Sequence, residues 1–237
     1  MDPSRDVIEL TAVAAQLQDH PSLESTVQAV ARRATELLDA VDHASLTVRR
    51  RRVRWETPAA SSPTALALDQ LQYRLEEGPG LEAYEASDCR RSHDLRSEAR
   101  WPSWTGAALD RGVRSAASVG MFARGERVAA LNLYAAEPGV LDDAVVEHAR
   151  LYATHAAYAV HSARRREGLE SAISSRHSIG VAQGILVERF GLDLDTSFAL
   201  LQRLSSTRNR RLRDICEELM RTGDTEGLAP EAPKAER

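Results

Sequence analysis

The apolar positions along the chain change period several times, and those changes divide it into segments. Val7, Leu10, Val13, Ala14 and Leu17 recur at steps of three and four. Pro21-Ser22 interrupts the stripe, and Leu23, Val27, Val30, Ala34, Leu37 and Leu38 resume it. A period near 3.6 predicts helix on both sides of the proline. Residues 44–48 alternate as a strand, residues 49–52 are an all-arginine turn, and Val53-Arg54-Trp55 reads as the returning strand, with 59–63 as a loop. Residues 66–75 predict a short helix that ends near Glu76-Glu77-Gly78-Pro79-Gly80, and 90–95 a strand. Pro102 opens another helix and Gly112 closes it. Residues 115–122 and 127–135 predict two strands joined at Gly125. From Leu141 to Phe190 no proline occurs and alanine is frequent, which predicts one continuous helix. On it Val145, Ala149, Tyr152, Ala156 and Val160 keep the spacing of a seam between two paired helices.

After Gly191 a second helix is expected from Asp195 as its N-cap, carrying Phe198, Leu201 and Leu204. A third is expected from Asn209 as its cap, carrying Leu212, Ile215 and Leu219. The expected fold is α+β: a sheet flanked by helices, a long connecting helix, then an all-α module of three helices. The division is 1–22 as an N-terminal helical segment, 23–164 as the sheet domain, 165–222 as the helical module and 223–237 as a tail. The tail is rich in Gly, Pro, Glu and Ala and is expected to be disordered. Three short helices bury little surface alone, so the module is expected to lean on the long helix and on a second copy of the chain.

Composition narrows the class. The chain has 237 residues, 43% hydrophobic and 28% charged, enough for two modest cores and too apolar for a disordered protein. No apolar run approaches the roughly 20 residues that span a bilayer, and the first residues show no basic-then-apolar leader, so a cytoplasmic location is expected. Cys89 and Cys216 are the only cysteines and lack metal-ligand spacing. Of 31 basic residues all but Lys234 are arginine, the better bidentate partner for phosphate. Residues 1–163 carry a net charge of −5, residues 164–221 carry +3, and the remainder carries −2. A basic segment behind an acidic body points toward a polyanion.

Signatures of catalysis are missing: no Gly-rich phosphate loop, nucleophile elbow or H-E-x-x-H occurs. His93 and Asp94 are neighbours on an expected strand and so face opposite sides. His148, His155 and His161 show no ligand pattern, although His148 and His155, seven apart, would face one another across a dimer seam and offer pH sensitivity. No enzyme is expected, and the cofactor is left open. Trp55, Trp101, Trp104, Tyr73 and Tyr84 either line a ligand pocket or fill the core.

Two family resemblances sharpen this reading. Ser175-Arg176, Ile179, Ala182-Gln183-Gly184-Ile185-Leu186 and Gly191, then Asp195, Phe198, Leu201 and Ser205, and Asn209 through Ile215, resemble an ANTAR domain over residues 165–222. The resemblance implies a bacterial transcription antiterminator that binds paired small RNA hairpins in mRNA leaders. Leu75-Glu76-Glu77-Gly78-Pro79-Gly80-Leu81-Glu82-Ala83, Glu98-Ala99-Arg100-Trp101-Pro102, Gly112-Val113-Arg114-Ser115 and Ala130-Leu131-Asn132-Leu133-Tyr134-Ala135 resemble a GAF domain over residues 23–164. That implies a sensor for a small-molecule ligand. The chain departs from both families: Gln183 stands where ANTAR domains often carry lysine, and Gly80 where these GAF relatives often carry cysteine, which excludes a thiol sensor there.

The expected RNA contacts are Arg176, Ala182, Gln183, Gly184, Ser205, Arg208, Asn209 and Arg211. An interior helical glycine costs about 1 kcal/mol relative to alanine, so Gly184 invites a reason. It admits either a closely packed helix or an RNA loop against bare backbone. Arg208, Arg210, Arg211 and Arg213 crowd the expected start of a helix, where the dipole disfavours cations and free N–H groups favour phosphate. Arg208 and Arg211 are assigned to phosphate and Asn209 to capping or base reading, with Arg213 paired to Asp214 or Glu217. Arg176 is open between RNA and an intrachain pair, and Ser205 between a helix end and a contact. Two other classes stay open: a DNA-binding helix-turn-helix, and a protein-interaction module without nucleic acid.

Overall fold

The structure is a computed structural model that describes residues 16–50 and 54–223. The expected first helical stripe up to Ala14, the arginine turn at 51–53 and the tail beyond 223 lie outside these residues. The chain forms two compact units, residues 1–167 and 168–237.

In the first unit, α1 (Leu23–Leu37) starts in a capping box, with the Ser22 and Ser25 hydroxyls each accepting from the other's backbone N–H. Strands β1 (His43–Arg50) and β2 (Arg54–Ala60) pair as a hairpin. β2 runs through Ala59 and Ala60, which the sequence had placed in a loop. Helix α2 (Pro63–Leu75) is capped by Ser62 and stops at Glu76 in the left-handed region. Helix α3 (Pro79–Ala86) follows at once, where only a turn was expected. Then come β3 (Cys89–Ser92), α4 (Pro102–Leu109), β4 (Ser115–Ala123) and β5 (Glu126–Ala135). The five strands are antiparallel in the order β2-β1-β5-β4-β3.

Strand alternation gives the sheet two different faces. One presents Leu46, Val48, Ala117, Val119, Met121, Leu131 and Leu133 to α1 and to the first half of α5 (Asp143–Phe190). The other presents Ser45, Thr47, Ser118 and Asn132, all fully buried. A second apolar cluster on Leu68, Leu71, Trp101, Trp104 and Tyr134 includes residues of α2 and α4. The positions Ala149, Tyr152, Ala156 and Val160 on α5 lie inside the first core, and the Tyr152 hydroxyl donates to the Val30 carbonyl at 2.9 Å. The expected dimer seam is therefore an intrachain face. Its three-and-four spacing serves any buried helix face equally well, and the pairing of His148 with His155 loses its basis with it.

The second unit holds the end of α5 with α6 (Leu194–Arg208) and α7 (Leu212–Thr222), around Ala182, Leu186, Leu200, Leu201, Ile215, Cys216 and Leu219. Gly191 closes α5 with positive φ, and its N–H donates to the Val187 carbonyl. Both expected caps shift. Asp193, not Asp195, caps α6, its side chain accepting from the Thr196 N–H at 2.7 Å. Asn209 sits at φ 49° as the C-cap of α6, and Arg211 stands at the N-cap of α7 without a side-chain cap. Asparagine tolerates the left-handed region that the end of α6 requires.

Candidate functional site

The helical unit sorts the expected contact residues into two groups. The Gln183 amide donates to the Leu194 carbonyl at 2.8 Å, which sets the start of α6 beside that turn of α5. Arg213 donates to the Ser171 hydroxyl at 3.3 Å, which sets the start of α7 beside an earlier turn. These two points on α5 are about 18 Å apart along the helix axis. Gln183 and Gly184 thus lie at one end of the unit, and the turn from Arg208 to Arg211 at the other. Ala182 is fully buried in the core, so its side chain presents no contact surface. Gly184 is exposed, and a Cβ built there would meet nothing within 4 Å. Of the two reasons for this glycine, close helix packing finds no partner among the described residues.

At the α6–α7 turn the Ser205 hydroxyl donates to the Arg210 carbonyl at 2.6 Å, so Ser205 ties the turn together. Arg210 pairs with Glu218, and Arg213 with Glu217 at 2.6 Å. Among the described residues no ion pair engages Arg176, Arg208 or Arg211, all exposed. The turn thus presents unneutralised guanidinium groups beside a helix start whose first N–H groups no side chain caps.

The first unit holds a buried polar cluster between α2 and the sheet. Asp69 is fully buried; its Oδ1 accepts from the Ser45 hydroxyl (2.9 Å), the Asn132 amide (3.0 Å) and the Tyr134 hydroxyl (2.8 Å). Its Oδ2 accepts from the Thr57 hydroxyl at 2.8 Å. Burial pushes the Asp69 carboxyl up to about 6 against the opposing pull of these donors. The cluster extends through Ser118 and Thr47 on Asn132, Tyr73 on Thr47 and Thr57, and Gln72 on Tyr134. The start of α3 closes it: the Gly80 N–H donates to Gln72 at 2.7 Å, and a Cβ on Gly80 would stand 2.5 Å from the Asn132 side-chain oxygen.

The five aromatic residues divide. Trp101 and Trp104 are core, edge to face at 6.2 Å. Trp55 and Tyr73, with Arg49, Arg54, Glu76, Leu81, Glu82 and Glu85, line an open groove of about 680 Å³. Tyr84 meets Trp55 edge-on at 5.3 Å and lines an adjoining groove. His93 and Asp94 form no pair: Asp94 holds Arg114 at 2.8 Å and caps a single 3₁₀ turn. No cluster of side chains among the described residues could hold a metal ion. No described helix is long and apolar enough to cross a membrane.

Comparison with known proteins fits both units. The family model of the GAF domain matches residues 20–161, more than half of the chain, and that of the ANTAR domain matches 167–220. The chain belongs to the GAF family and carries a C-terminal ANTAR domain. Both are regulatory rather than catalytic domains, and together they make it a GAF-linked ANTAR regulator. No curated protein matches it.

Among solved structures it is similar to the GAF domain of an Acinetobacter phosphoenolpyruvate-protein phosphotransferase, at 13% identity and a TM-score of 0.55, over 70% of this chain and 97% of that one. It is also similar to the Stigmatella aurantiaca phytochrome photosensory core module, at 12% identity and 0.59, over 83% and 44%. A third is the chromophore-binding domain of bacteriophytochrome RpBphP3 from R. palustris, at 11% identity and 0.53, over 70% and 64%. The chain thus spans less than two thirds of either phytochrome chain. At such identities the likeness is one of fold. Sequence reasoning missed the role of Asp69 and of the polar strand positions around Asn132 in this GAF domain. A carboxylate between Leu68 and Leu71, on the helix face that also carries Gln72, was the available signal.

Proposed function

We propose that this protein is an RNA-binding transcription antitermination regulator. Its GAF domain senses a small molecule, and its ANTAR domain binds tandem RNA hairpins in mRNA leaders, favouring the antiterminator so that transcription reads through. The observation that carries the reading is the α6–α7 turn: exposed Arg208 and Arg211 flank the uncapped start of α7. Free N–H groups and guanidinium groups at one place suit phosphate. Gly184 offers bare helix backbone at a second place, against which a splayed loop base can rest. The protein acts in the cytoplasm as a homodimer, and Leu169 and Ile173, 61% and 68% exposed and one turn apart on α5, are the apolar pair offered to the second copy.

The test is a salt-series titration of the full chain with a tandem-hairpin RNA from its own operon's leader, beside the double variant Arg208→Ala/Arg211→Ala. The expected result is tight binding that the variant weakens by about 10- to 100-fold, with the slope of log affinity against log salt reduced by about two. Equal binding of duplex DNA would instead mark a helix-turn-helix, and no binding at low salt an interaction module.

Gly184→Ala adds an independent check. Because nothing obstructs a Cβ there, thermal unfolding should show a gain of about 1 kcal/mol in helix stability. RNA affinity should fall in the same variant. A more stable protein with unchanged RNA affinity removes Gly184 from the contact surface.

A further inference from the structure

The buried cluster of the GAF domain contains one formal charge and no counter-charge. All four donors to Asp69 are neutral: three hydroxyls and an amide. No described Arg, Lys or His bonds to any member of the cluster. A charge kept out of water without a partner is costly, and asparagine at this position would offer nearly the same shape without that cost. The carboxylate therefore points to a partner that is not part of the chain.

Two of the donors around Asp69, Thr57 and Asn132, are able to release it. The Tyr134 hydroxyl also receives the Gln72 amide at 2.9 Å, and the Thr57 hydroxyl also meets Tyr73 at 2.7 Å. The Asn132 amide also reaches Thr47 at 2.8 Å. Thr57 can turn its proton to Tyr73, and the Asn132 amide keeps its bond to Thr47, whereas the Gln72 amide only donates to Tyr134 and offers its proton no acceptor.

A path leads to this site. Tyr73 lines the open groove, and its hydroxyl bonds to Thr47 and Thr57, so one side chain separates the groove from the hub. The groove itself suits a cation. Trp55 and Tyr73 stack at 6.4 Å, and Glu76, Glu82 and Glu85 line the same walls. The Arg49 guanidinium already stands 5.1 Å from the centre of the Trp55 ring, a planar cation resting on an aromatic face. Arg49 is engaged by Glu85 and Arg54 by Glu56; Glu82 is held by Arg90 and the Trp101 indole, which leaves Glu76 as the groove carboxylate that meets no cation among the described residues.

We propose that the effector of this GAF domain is a small organic cation, an amine, amidine or guanidine, which enters by the groove at Trp55, displaces Tyr73 and delivers its protonated nitrogen to Asp69. The proposal rests on the reading of the GAF domain as a small-molecule sensor, and its test uses no RNA, so the two stand or fall separately.

The experiment is thermal unfolding of the full chain against benzylamine, benzamidine and agmatine, with benzyl alcohol and benzamide as neutral counterparts. The same series is run on Asp69→Asn and Tyr73→Phe, with near-UV circular dichroism confirming that both fold. The expected result is a saturable rise of several degrees in the unfolding midpoint with at least one cation and none with its neutral counterpart. Asp69→Asn should weaken that response at least tenfold. Tyr73→Phe removes the hydroxyl latch but keeps the ring, and should speed association several-fold in stopped-flow tryptophan fluorescence. An equal response from the neutral compounds, an unchanged response in Asp69→Asn, or no saturable response across the panel would each overturn the proposal.

Discussion

Valine in place of Gly120 is expected to lower the stability of the GAF domain by about 3 kcal/mol, the upper end of what overpacking a well-filled interior costs. A Cβ at this position on β4 would stand 2.7 Å from the Ala83 carbonyl oxygen and 3.1 Å from the backbone of Ser87. The obstacles are main-chain atoms of α3 and of the residue that ends it, so no side-chain rotation relieves them. The helix would have to lift from the sheet. It is held at its other end as well, where Gly80 meets Asn132, so lifting it would disturb the polar cluster. Strand propensity argues the other way, since valine suits a strand better than glycine by up to about 1 kcal/mol. The sign of the change in a urea titration therefore decides between packing and propensity. Gly106 on α4 is the control: it is exposed, a Cβ there would meet nothing within 4 Å, and Gly106→Ala should be neutral or stabilising. A loss at Gly106 equal to that at Gly120 would remove close packing of α3 as the explanation.

The long helix, the β4–β5 hairpin and the apolar faces of the last three helices follow a repeated period, and the structure has them where the period places them. Helix α3 was hidden because it has only eight residues and opens on Pro79-Gly80, a pair that reads as a turn. The end of α6 was misplaced because asparagine serves at either end of a helix, and only the backbone at Asn209 settles which. Asp193 and Asp195 compete for one cap two residues apart, and the extended backbone at Asp193 selects the first. The candidate RNA surface was legible as a list of residues but not as a shape. The apolar period already sets Ala182 with Ile179, Ile185 and Leu186 on an inner face, but no pattern along the chain says that Gln183 is bound to the start of α6. The polar cluster escaped for a related reason: alternation of apolar and polar residues in β1, β4 and β5 normally marks a solvated face. Here that face is roofed by α2 and α3.

Asparagine in place of Asp69 is expected to stabilise the protein at pH 7.5 by up to about 3 kcal/mol, with the gain disappearing toward pH 4. In the folded chain the carboxyl is pushed up to about 6 from an ordinary 3.8, because burial penalises its charged form more than four neutral donors favour it. The folded state therefore binds this proton more tightly than the unfolded state. Its contribution is fully present below about pH 4, is lost as pH rises through 6, and stays lost at neutral pH. The titratable groups of the cluster that face Asp69 are Tyr73 and Tyr134, whose hydroxyls burial holds neutral well above this range, so neither offsets the charge. An asparagine keeps the oxygen that accepts from Ser45, Asn132 and Tyr134. Its amide replaces the oxygen facing Thr57, whose hydroxyl is free to turn and donate to Tyr73 at 2.7 Å. The measurement is the difference in unfolding free energy between variant and parent across pH 4 to 8, which cancels every other titrating group. A flat difference near zero would mean that the carboxylate is already neutralised in the folded chain, and that the site has no unmet charge for a cation to satisfy.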